Sequence, residues 1–284
     1  MAMFESFKRS WELTKLSFSV INKDKELLAF PFLGSIFSIA FILLLLLPTL
    51  LTQFLSSATS SFTLDAFALM VLFFVYLGLA VIATFFDVCA VYTIKKRFEG
   101  GNASFIESIQ FAVSKIHLVF YWGLLSATVG LILRLIESAG DKRGHGAQMI
   151  SKIIASILGT AWAIASVFAI PAMVYHNHGP INALKSSVSA IKRTWGESLI
   201  RYYGLGAVES LLVMFGIIAG VILALVTGSW VFFIISTVIY VVIVSLIFSV
   251  ANDVFNTALY AYANGKVPKG YSKDLLHNAF RKSI

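Results

Sequence analysis

The sequence predicts an all-α, polytopic membrane protein with six transmembrane helices and short interfacial amphipathic helices at the cytoplasmic side. Of its 284 residues, 58% are hydrophobic and only 13% are charged, whereas soluble domains carry about 25% charged residues. The apolar residues form six runs, each long enough to cross a bilayer, which takes about 20 residues. The basic residues concentrate in alternate connectors between these runs, as they do in multi-pass membrane proteins.

The six predicted spans cover residues 28–50, 66–94, 117–137, 149–175, 198–226 and 229–262. Pro48 is expected to end or bend the first helix and Pro171 to kink the fourth, because proline lacks the amide hydrogen that a helix uses. The connectors at 52–62, 138–148 and 227–229 are short, so neighbouring helices are expected to run antiparallel.

The distribution of lysine and arginine predicts the orientation. Of the 22 basic residues, 18 lie in segments 1–27, 95–116, 176–201 and 263–284. The connector after the first span and the connector after the fifth contain none. Because cytoplasmic connectors are enriched in lysine and arginine, both termini are predicted to be cytoplasmic, in the inner (plasma) membrane.

The chain is predicted to form one membrane domain over residues 1–284. Residues 1–27 would form a cytoplasmic amphipathic segment, 28–262 the six-helix bundle and 263–284 a cytoplasmic tail. Charges recur through the start and no A-x-A-like site follows, so no secretory signal is expected and the first span should remain in the mature protein. The single cysteine, Cys89, excludes a disulfide within one chain.

Three cytoplasmic segments align with one another and predict a repeated elbow. They are SFKRSWELTK (6–15), SIQFAVSK (108–115) and ALKSSVSAIK (183–192). The aligned positions are Ser6, Ser108 and Ala183, then Phe7, Ile109 and Leu184, then Ser10, Ala112 and Ser187. In each elbow, a helix ending at a glycine and a short helix at the headgroups are expected.

The third elbow shows the expected amphipathic pattern most clearly. Its apolar residues at 181, 184, 188 and 191 form one stripe, and Lys185, Lys192 and Arg193 lie elsewhere on the helix surface. Such a helix is typical of the membrane interface.

Two stretches resemble known families. GPINALKSSVSAIKRTWGE (179–197) is similar to an A-L-x-x-S-…-W signature of bacterial inner-membrane families of unknown function, including the membrane domain attached to some glycerophosphodiester phosphodiesterases. The start resembles an uncharacterised prokaryotic six-span family with an S-W-x-L…D-K-E-L-L-x-F-P pattern. That pattern falls on Ser10, Trp11, Leu13, Asp24, Lys25, Glu26, Leu27, Leu28, Phe30 and Pro31. The resemblance implies a six-helix inner-membrane fold and no reaction, and no phosphodiesterase domain accompanies it.

Three acids inside the predicted spans form a candidate polar site. Counting about 20 residues across the membrane places Asp87, Glu209 and Asp253 at or near the inner boundary. Two of them lie on stripes of small residues, which pack against other helices. The stripes are Ala80, Ala83, Asp87 and Ala90, and Glu209, Val213, Gly216 and Gly220. The acids form either a cation or proton site at an inner vestibule or ion pairs that hold the elbows against the bundle.

The sixth span adds a polar stripe beside Asp253. Its members are Ser245, Ser249, Asn252 and Asn256, at helical spacing. This stripe either lines a water path or forms hydrogen bonds between helices, which contribute roughly 0.6 to 2 kcal/mol each. Gly216 and Gly220 form a GxxxG motif that favours close helix packing, between chains or within one.

No enzyme, cofactor or metal site is predicted. The chain has no Gly-x-Ser-x-Gly or His-Glu-x-x-His motif. His176 and His178 lack a carboxylate or thiol at close spacing, and two residues apart on a helix they would not face one another. They are therefore interpreted as interfacial loop histidines.

The leading hypothesis is an integral membrane protein that forms or supports a permeation path for ions or small solutes. The alternative is a non-transporting, lipid-facing scaffold or envelope-homeostasis protein whose interfacial helices contact anionic headgroups. Membrane lipids at the cytoplasmic face are the expected partners, self-association is compatible with the GxxxG motif, and no nucleic acid is expected. The positive net charge of +8 is explained by topology, because the cations flank the spans.

Overall fold

In the computed structural model, the described residues are 15, 17–56, 66–141, 145–195, 204–269 and 271, and they form helices and no strand. The helices are α1 (17–23), a 3₁₀ turn (Lys25–Leu28), α2 (Ala29–Ser56), α3 (Ala66–Phe98), α4 (Phe105–Ser114), α5 (Ile116–Asp141), α6 (His145–Ser166), α7 (Ala169–His176), α8 (Pro180–Trp195), α9 (Gly204–Thr227) and α10 (Trp230–Ala263). The predicted amphipathic segment before Lys15 and the predicted tail after Tyr271 lie outside the described residues.

Six stretches of these helices are long and apolar enough to cross a membrane, as the sequence predicted. They are Lys25–Leu45, Leu69–Phe98, Ile116–Gly140, His145–His176, Val208–Thr227 and Trp230–Ala263. Large apolar side chains on them point outward; Leu44 and Val226, for example, are 77% and 79% exposed. Exposed apolar surface on this scale marks a membrane-contacting protein, so the all-α, multi-pass fold class is confirmed.

The fourth span is broken one turn before Pro171. Helix α6 ends at Ser166, and α7 begins at Ala169. The pyrrolidine ring at 171 removes a helical hydrogen bond and clashes with the carbonyl four residues earlier, at Val167. The buried amide of Phe168 leaves the helical pattern and donates instead to Ser187 Oγ of α8, at 3.0 Å. The predicted kink is therefore present, and α8 supplies the hydrogen bond that the break removes.

Pro48 does not end the first helix. Helix α2 continues to Ser56, so the predicted loop at 52–62 is helical over its first residues, and residues 57–65 lie outside the described part. The predicted loop at 138–148 is also shorter than expected, because α5 extends to Asp141 and α6 starts at His145. The turn between α9 and α10 is one residue shorter than predicted, because α9 includes Thr227 and α10 begins at Trp230. Gly228 adopts a φ of 69° there, and the Ser229 hydroxyl caps α10.

Two helices end in left-handed glycines, as the elbow pattern predicted. Gly100 follows α3 with a φ of 88°, and Gly265 follows α10 with a φ of 78°. At the first, the amide of Gly101 donates to Lys96 O at 2.9 Å, and at the second the amide of Lys266 donates to Ala261 O at 2.9 Å. Both bonds have the Schellman geometry. At the end of α7, however, the left-handed residue is Asn177 rather than the expected glycine.

The chain divides into two compact units. The terminal unit comprises residues 1–31, 93–103 and 190–284, and the central unit comprises 32–92 and 104–189. In the terminal unit, the 3₁₀ turn packs beside α10, and Leu27 is fully buried. In the central unit, α5 and α6 form a hairpin. The predicted single domain over 1–284 stays a prediction.

The α5–α6 hairpin of the central unit is held by rings and by close backbone contact. Trp122 and Trp162 stack with centroids 5.8 Å apart. Ser151 Oγ donates to Glu137 O at 3.2 Å, and Gly140 lies directly against Ser151. At the same end, Arg134 and Glu137 form an ion pair at 3.1 Å.

Candidate functional site

Helix α8 has three distinct sides, which follow from about 100° of rotation per residue. Its buried side consists of small residues and one isoleucine, and its outward sides are apolar and then basic. The buried side is Ala183, Ser187, Ala190 and Ile191; the apolar flank is Ile181, Leu184 and Val188; the basic side is Lys185, Lys192 and Arg193. Ile181 is 55% exposed, and Leu184 and Val188 are half-buried. Packing within the protein therefore leaves part of the apolar flank uncovered.

Helix α4 shows the same division of its surface. Ser108 and Ala112 are fully buried, whereas Ile106 and Val113 are 67% and 55% exposed. The two exposed apolar residues lie seven positions apart, on one face of the helix. Helix α4 therefore also offers an apolar surface that the protein itself does not cover.

Side-chain contacts fix α4 against the end of α3. The Tyr92 hydroxyl donates to Glu107 Oε1 at 2.7 Å, and the rings of Tyr92 and Phe111 stack at 4.1 Å. The Ser104 hydroxyl accepts from the amide of Glu107 and caps the helix, which satisfies an otherwise unpaired donor. Helix α4 is thus held in one orientation.

The aligned repeat positions occupy equivalent environments in two elbows. Ser108 and Ala183 are both 0% exposed, and so are Ala112 and Ser187. The predicted correspondence is therefore confirmed for α4 and α8. The first copy (6–15) lies outside the described residues except for Lys15.

The three intramembrane acids are all half-buried. Asp87 lies on α3 in the central unit, and Glu209 and Asp253 lie on α9 and α10 in the terminal unit. The predicted common level of the three acids stays a prediction. The alanine stripe of Asp87 is only partly packed, because Ala83 is exposed although Ala90 is buried. The predicted inward-facing stripe is therefore wrong at Ala83.

The stripe of Glu209 packs against α10 as expected. Gly216 lies directly beneath the ring of Tyr240, and Gly220 beneath Thr237 and Phe233, so that a Cβ atom at either glycine would clash. The Tyr240 hydroxyl donates to Leu212 O at 3.0 Å. The GxxxG motif is therefore used for packing within the chain.

The polar stripe on α10 is not a dry helix interface along its whole length. Ser249 is exposed, and Ser245, Asn252 and Asn256 are half-buried. Buried apolar residues such as Val250 and Val254 occupy the neighbouring face. The stripe thus runs along the border of the packed surface.

An ion pair at the start of the first span was not foreseen as part of a site. Asp24 is 6% exposed, and its Oδ2 accepts from Arg97 Nη2 at 2.7 Å and from Nε at 3.2 Å. Nη2 also donates to Asn102 Oδ1 at 2.7 Å. Asp24 belongs to the D-K-E-L-L pattern of the resemblance, but no local spacing links it to a cation 73 positions away. We call Asp24, Arg97 and Asn102 the corner.

The two histidines face one another, contrary to prediction. Their rings stack with centroids 5.3 Å apart, because the left-handed Asn177 between them ends the helix and reverses the chain. In the described part of the chain, no third cysteine, histidine or acid joins them to form a group that could hold a metal.

These features define a polytopic helical membrane protein with six apolar spans and short helices at the ends of some of them. The chain belongs to the family of unknown function DUF6159, which it matches over residues 65–269. None of the curated proteins matches the chain. The match includes the α8 elbow but not the D-K-E-L-L stretch. Membership of an uncharacterised family is as expected, whereas the similarity to the membrane domain of glycerophosphodiester phosphodiesterases stays a prediction.

Proposed function

We propose that the protein is a non-enzymatic, lipid-facing scaffold of the inner membrane whose helices α4 and α8 bind anionic headgroups at the cytoplasmic side. The observation that carries the proposal is the three-sided surface of α8. Its small-residue side packs on the protein, and its apolar flank and its three cations point outward.

The order of these sides around α8 matches a helix at a membrane surface. The apolar flank (Ile181, Leu184, Val188) adjoins the buried side, and Lys185 and Lys192 come next around the helix. Apolar side chains of interfacial helices enter the acyl boundary while cations remain at the headgroups. Cations near an anionic leaflet are attracted to it, and the attraction decays within a Debye length.

The proposal is tested by removing the cations of α8 from the full-length protein. We expect phosphatidylglycerol, compared with phosphatidylcholine, to raise the melting temperature of the reconstituted protein. The triple variant Lys185→Gln, Lys192→Gln and Arg193→Gln should lose at least half of that increment. High salt should reduce the wild-type increment, because these charges are exposed.

A matched control removes three cations in or next to the connector between α5 and α6, which the sequence predicts to be external. Lys142→Gln, Arg143→Gln and Lys152→Gln together change the net charge equally and should leave the lipid increment intact. If the α8 triple variant retains the full increment, or if both triples lose it equally, the headgroup function is wrong.

A permeation path is the second candidate, and the polar border on α10 favours it. Exposed Ser249 and half-buried Asn252 and Asp253 lie within a span, where polar groups are costly unless they face protein or water. In this interpretation, Asp87, Glu209 and Asp253 attract a cation or proton.

Flux through proteoliposomes tests this second candidate. Under it, Asp87→Asn, Glu209→Gln and Asp253→Asn abolish an ion flux that the wild type shows, while the helical circular dichroism is unchanged. Absence of flux with protons, sodium and potassium removes the candidate and leaves the scaffold proposal. Self-association of the chain also stays a prediction.

A further inference from the structure

A cavity of about 270 Å³ lies in the terminal unit. Its wall includes Ser19, Lys23, Arg97, Gly100, Lys269 and Tyr271. These residues lie near the ends of three spans. One span begins at Lys25, and the other two end at Phe98 and Ala263. Since a water takes up about 30 Å³ of liquid, the volume accommodates a phosphate group with several waters. The cavity therefore has the size of a phosphate site and lies at the ends of apolar spans.

The charge of the cavity wall is positive. Lys23, Arg97 and Lys269 line it, and none of the acidic residues that the structure describes does. The carboxylate of Asp24, which does not line the cavity, forms an ion pair with Arg97. Three cations against one anion leave an excess that favours a dianion or a monoanion over a neutral ligand.

The guanidinium of Arg97 is fixed and still has donors to offer. Its Nε and Nη2 are occupied by Asp24 and Asn102, and no described residue accepts from Nη1. The two hydrogens of Nη1 remain, and each can form a charge-assisted hydrogen bond with a phosphate oxygen. The corner thus positions Arg97 for an anion rather than neutralising it completely.

Among the residues that the structure describes, the Tyr271 hydroxyl has no hydrogen-bond partner of good geometry. Its side chain is 7% exposed, and its hydroxyl lies near that of Ser17 but forms no hydrogen bond of good geometry with it. Burial raises the pKa of Tyr271 to about 12, and the nearby Ser17 hydroxyl lowers it slightly. Tyr271 is consequently a neutral donor at physiological pH, and a bound oxygen atom would satisfy it.

The backbone holds Lys269 and Tyr271 in place. The amide of Lys269 donates to Phe98 O at 3.3 Å, and the rings of Phe98 and Tyr271 meet edge to face at 5.6 Å. The left-handed Gly100 leaves room for the Lys269 ammonium, which lies 3.3 Å from where a Cβ would be. The cavity is therefore built from fixed parts and not from surface lysines alone.

We propose that this cavity binds the phosphate group of an anionic ligand through Arg97, Lys23, Lys269 and Tyr271. The inference deepens the proposed function and rests on its claim that the protein binds anionic headgroups. A lipid phosphodiester and a soluble phosphate ester share this chemistry, and the experiment distinguishes them.

The main test measures lipid retention by native mass spectrometry of the full chain released from nanodiscs. The variant Lys23→Gln with Lys269→Gln removes two cavity cations and leaves the Asp24–Arg97 pair intact. We expect retention of phosphatidylglycerol to fall at least fivefold. The control, Lys25→Gln with Lys266→Gln, changes exposed lysines close in sequence but outside the cavity wall, and should retain lipid as the wild type does. Equal losses in both double variants, or no loss in either, overturn the proposal.

Soluble probes identify the source of the phosphate. Inorganic phosphate and glycerol phosphate are added to the protein in phosphatidylcholine nanodiscs. If either raises the melting temperature of the wild type but not that of the cavity variant, the ligand is soluble. A response to phosphatidylglycerol alone indicates a lipid headgroup. If neither probe separates the wild type from the cavity variant, the site does not bind phosphate.

The variant Tyr271→Phe provides a second test of the cavity in case the double variant does not fold. Because the hydroxyl lacks a good partner, its removal should leave the melting temperature in phosphatidylcholine unchanged or higher, while lowering the phosphatidylglycerol increment. An undiminished increment in this variant contradicts the role of Tyr271. If the cavity variants keep the increment and the α8 triple variant loses it, the cavity proposal fails and the scaffold function stands. The reverse result overturns the headgroup function proposed for α8 and leaves the cavity as a phosphate site.

Discussion

Two regions of the terminal unit are packed by opposite means. Along α9, Gly216 and Gly220 admit Tyr240 and Phe233 of α10 so closely that no side chain fits between the helices. At the corner, a buried carboxylate and a guanidinium hold the start of the first span to the end of α3. The first contact depends on shape, and the second depends on charge.

The difference reflects the solvent around each region. Within the hydrocarbon, apolar side chains gain little by leaving lipid for protein, so close packing of small residues supplies the association free energy. At the end of a span, water and headgroups are available, and a charge pair is tolerated if its hydrogen bonds are satisfied. Asp24 and Arg97 meet that condition with three hydrogen bonds.

The largest effect should come from filling the glycine contact. Gly216→Ile places a branched side chain where the Tyr240 ring lies, and overpacking of this kind costs roughly 3 kcal/mol. Reversible unfolding in mixed micelles should show this loss. Gly206→Ala is the control, because nothing lies near a Cβ there, and it should be neutral or slightly stabilising. Similar losses in both variants would mean that the close approach of Tyr240 to Gly216 is not the cause of the loss.

The corner should respond asymmetrically to loss of either partner. Arg97→Gln leaves the carboxylate of Asp24, 7% exposed, without its cation, and should cost about 2 kcal/mol. Asp24→Asn leaves Arg97, which is 29% exposed and reaches water, and should cost about 1 kcal/mol. A double-mutant cycle measures the coupling. Equal costs for the two single variants would contradict the proposed difference in burial.

The shape-based contact was predictable and the charge-based one was not. The GxxxG spacing lies within one helix, so it can be recognised directly in the sequence. The six apolar runs are also continuous stretches of sequence and were predictable for the same reason. The Asp24–Arg97 pair joins residues 73 positions apart, and no periodicity relates them. The cavity was missed for the same reason, since its wall comes from three distant segments of the chain. The end of α7 shows that prediction is also limited within a short stretch of sequence. Either Asn177 or the following Gly179 was chemically suited to end this helix, and the sequence does not decide between them.

A smaller effect is expected where α8 replaces a lost helical bond. Ser187→Ala removes the acceptor of the buried Phe168 amide, and an unsatisfied buried donor costs about 1.5 kcal/mol. The exposed Ser189→Ala serves as the control and should lose less than a third of that. Faster hydrogen exchange at Phe168 in the Ser187 variant would confirm the cause, whereas an unchanged exchange rate would show that water or another group takes over.

The smallest effect tests Tyr271, which lies at the charged end of the same unit. Burial raises its pKa to about 12, whereas an unfolded tyrosine titrates near pH 10. Above pH 10 the unfolded chain loses the phenolic proton first, so the stability that the buried neutral phenol provides is complete below pH 10 and is lost as the pH rises toward 12. Between pH 9 and 11, the wild type should therefore lose about 1 kcal/mol relative to Tyr271→Phe. Both proteins contain the same lysines, so their titration cancels in the comparison. If the stabilities of the two proteins change with pH in parallel, the phenol reaches water. In that case the Phe98–Tyr271 contact does not close this end of the unit.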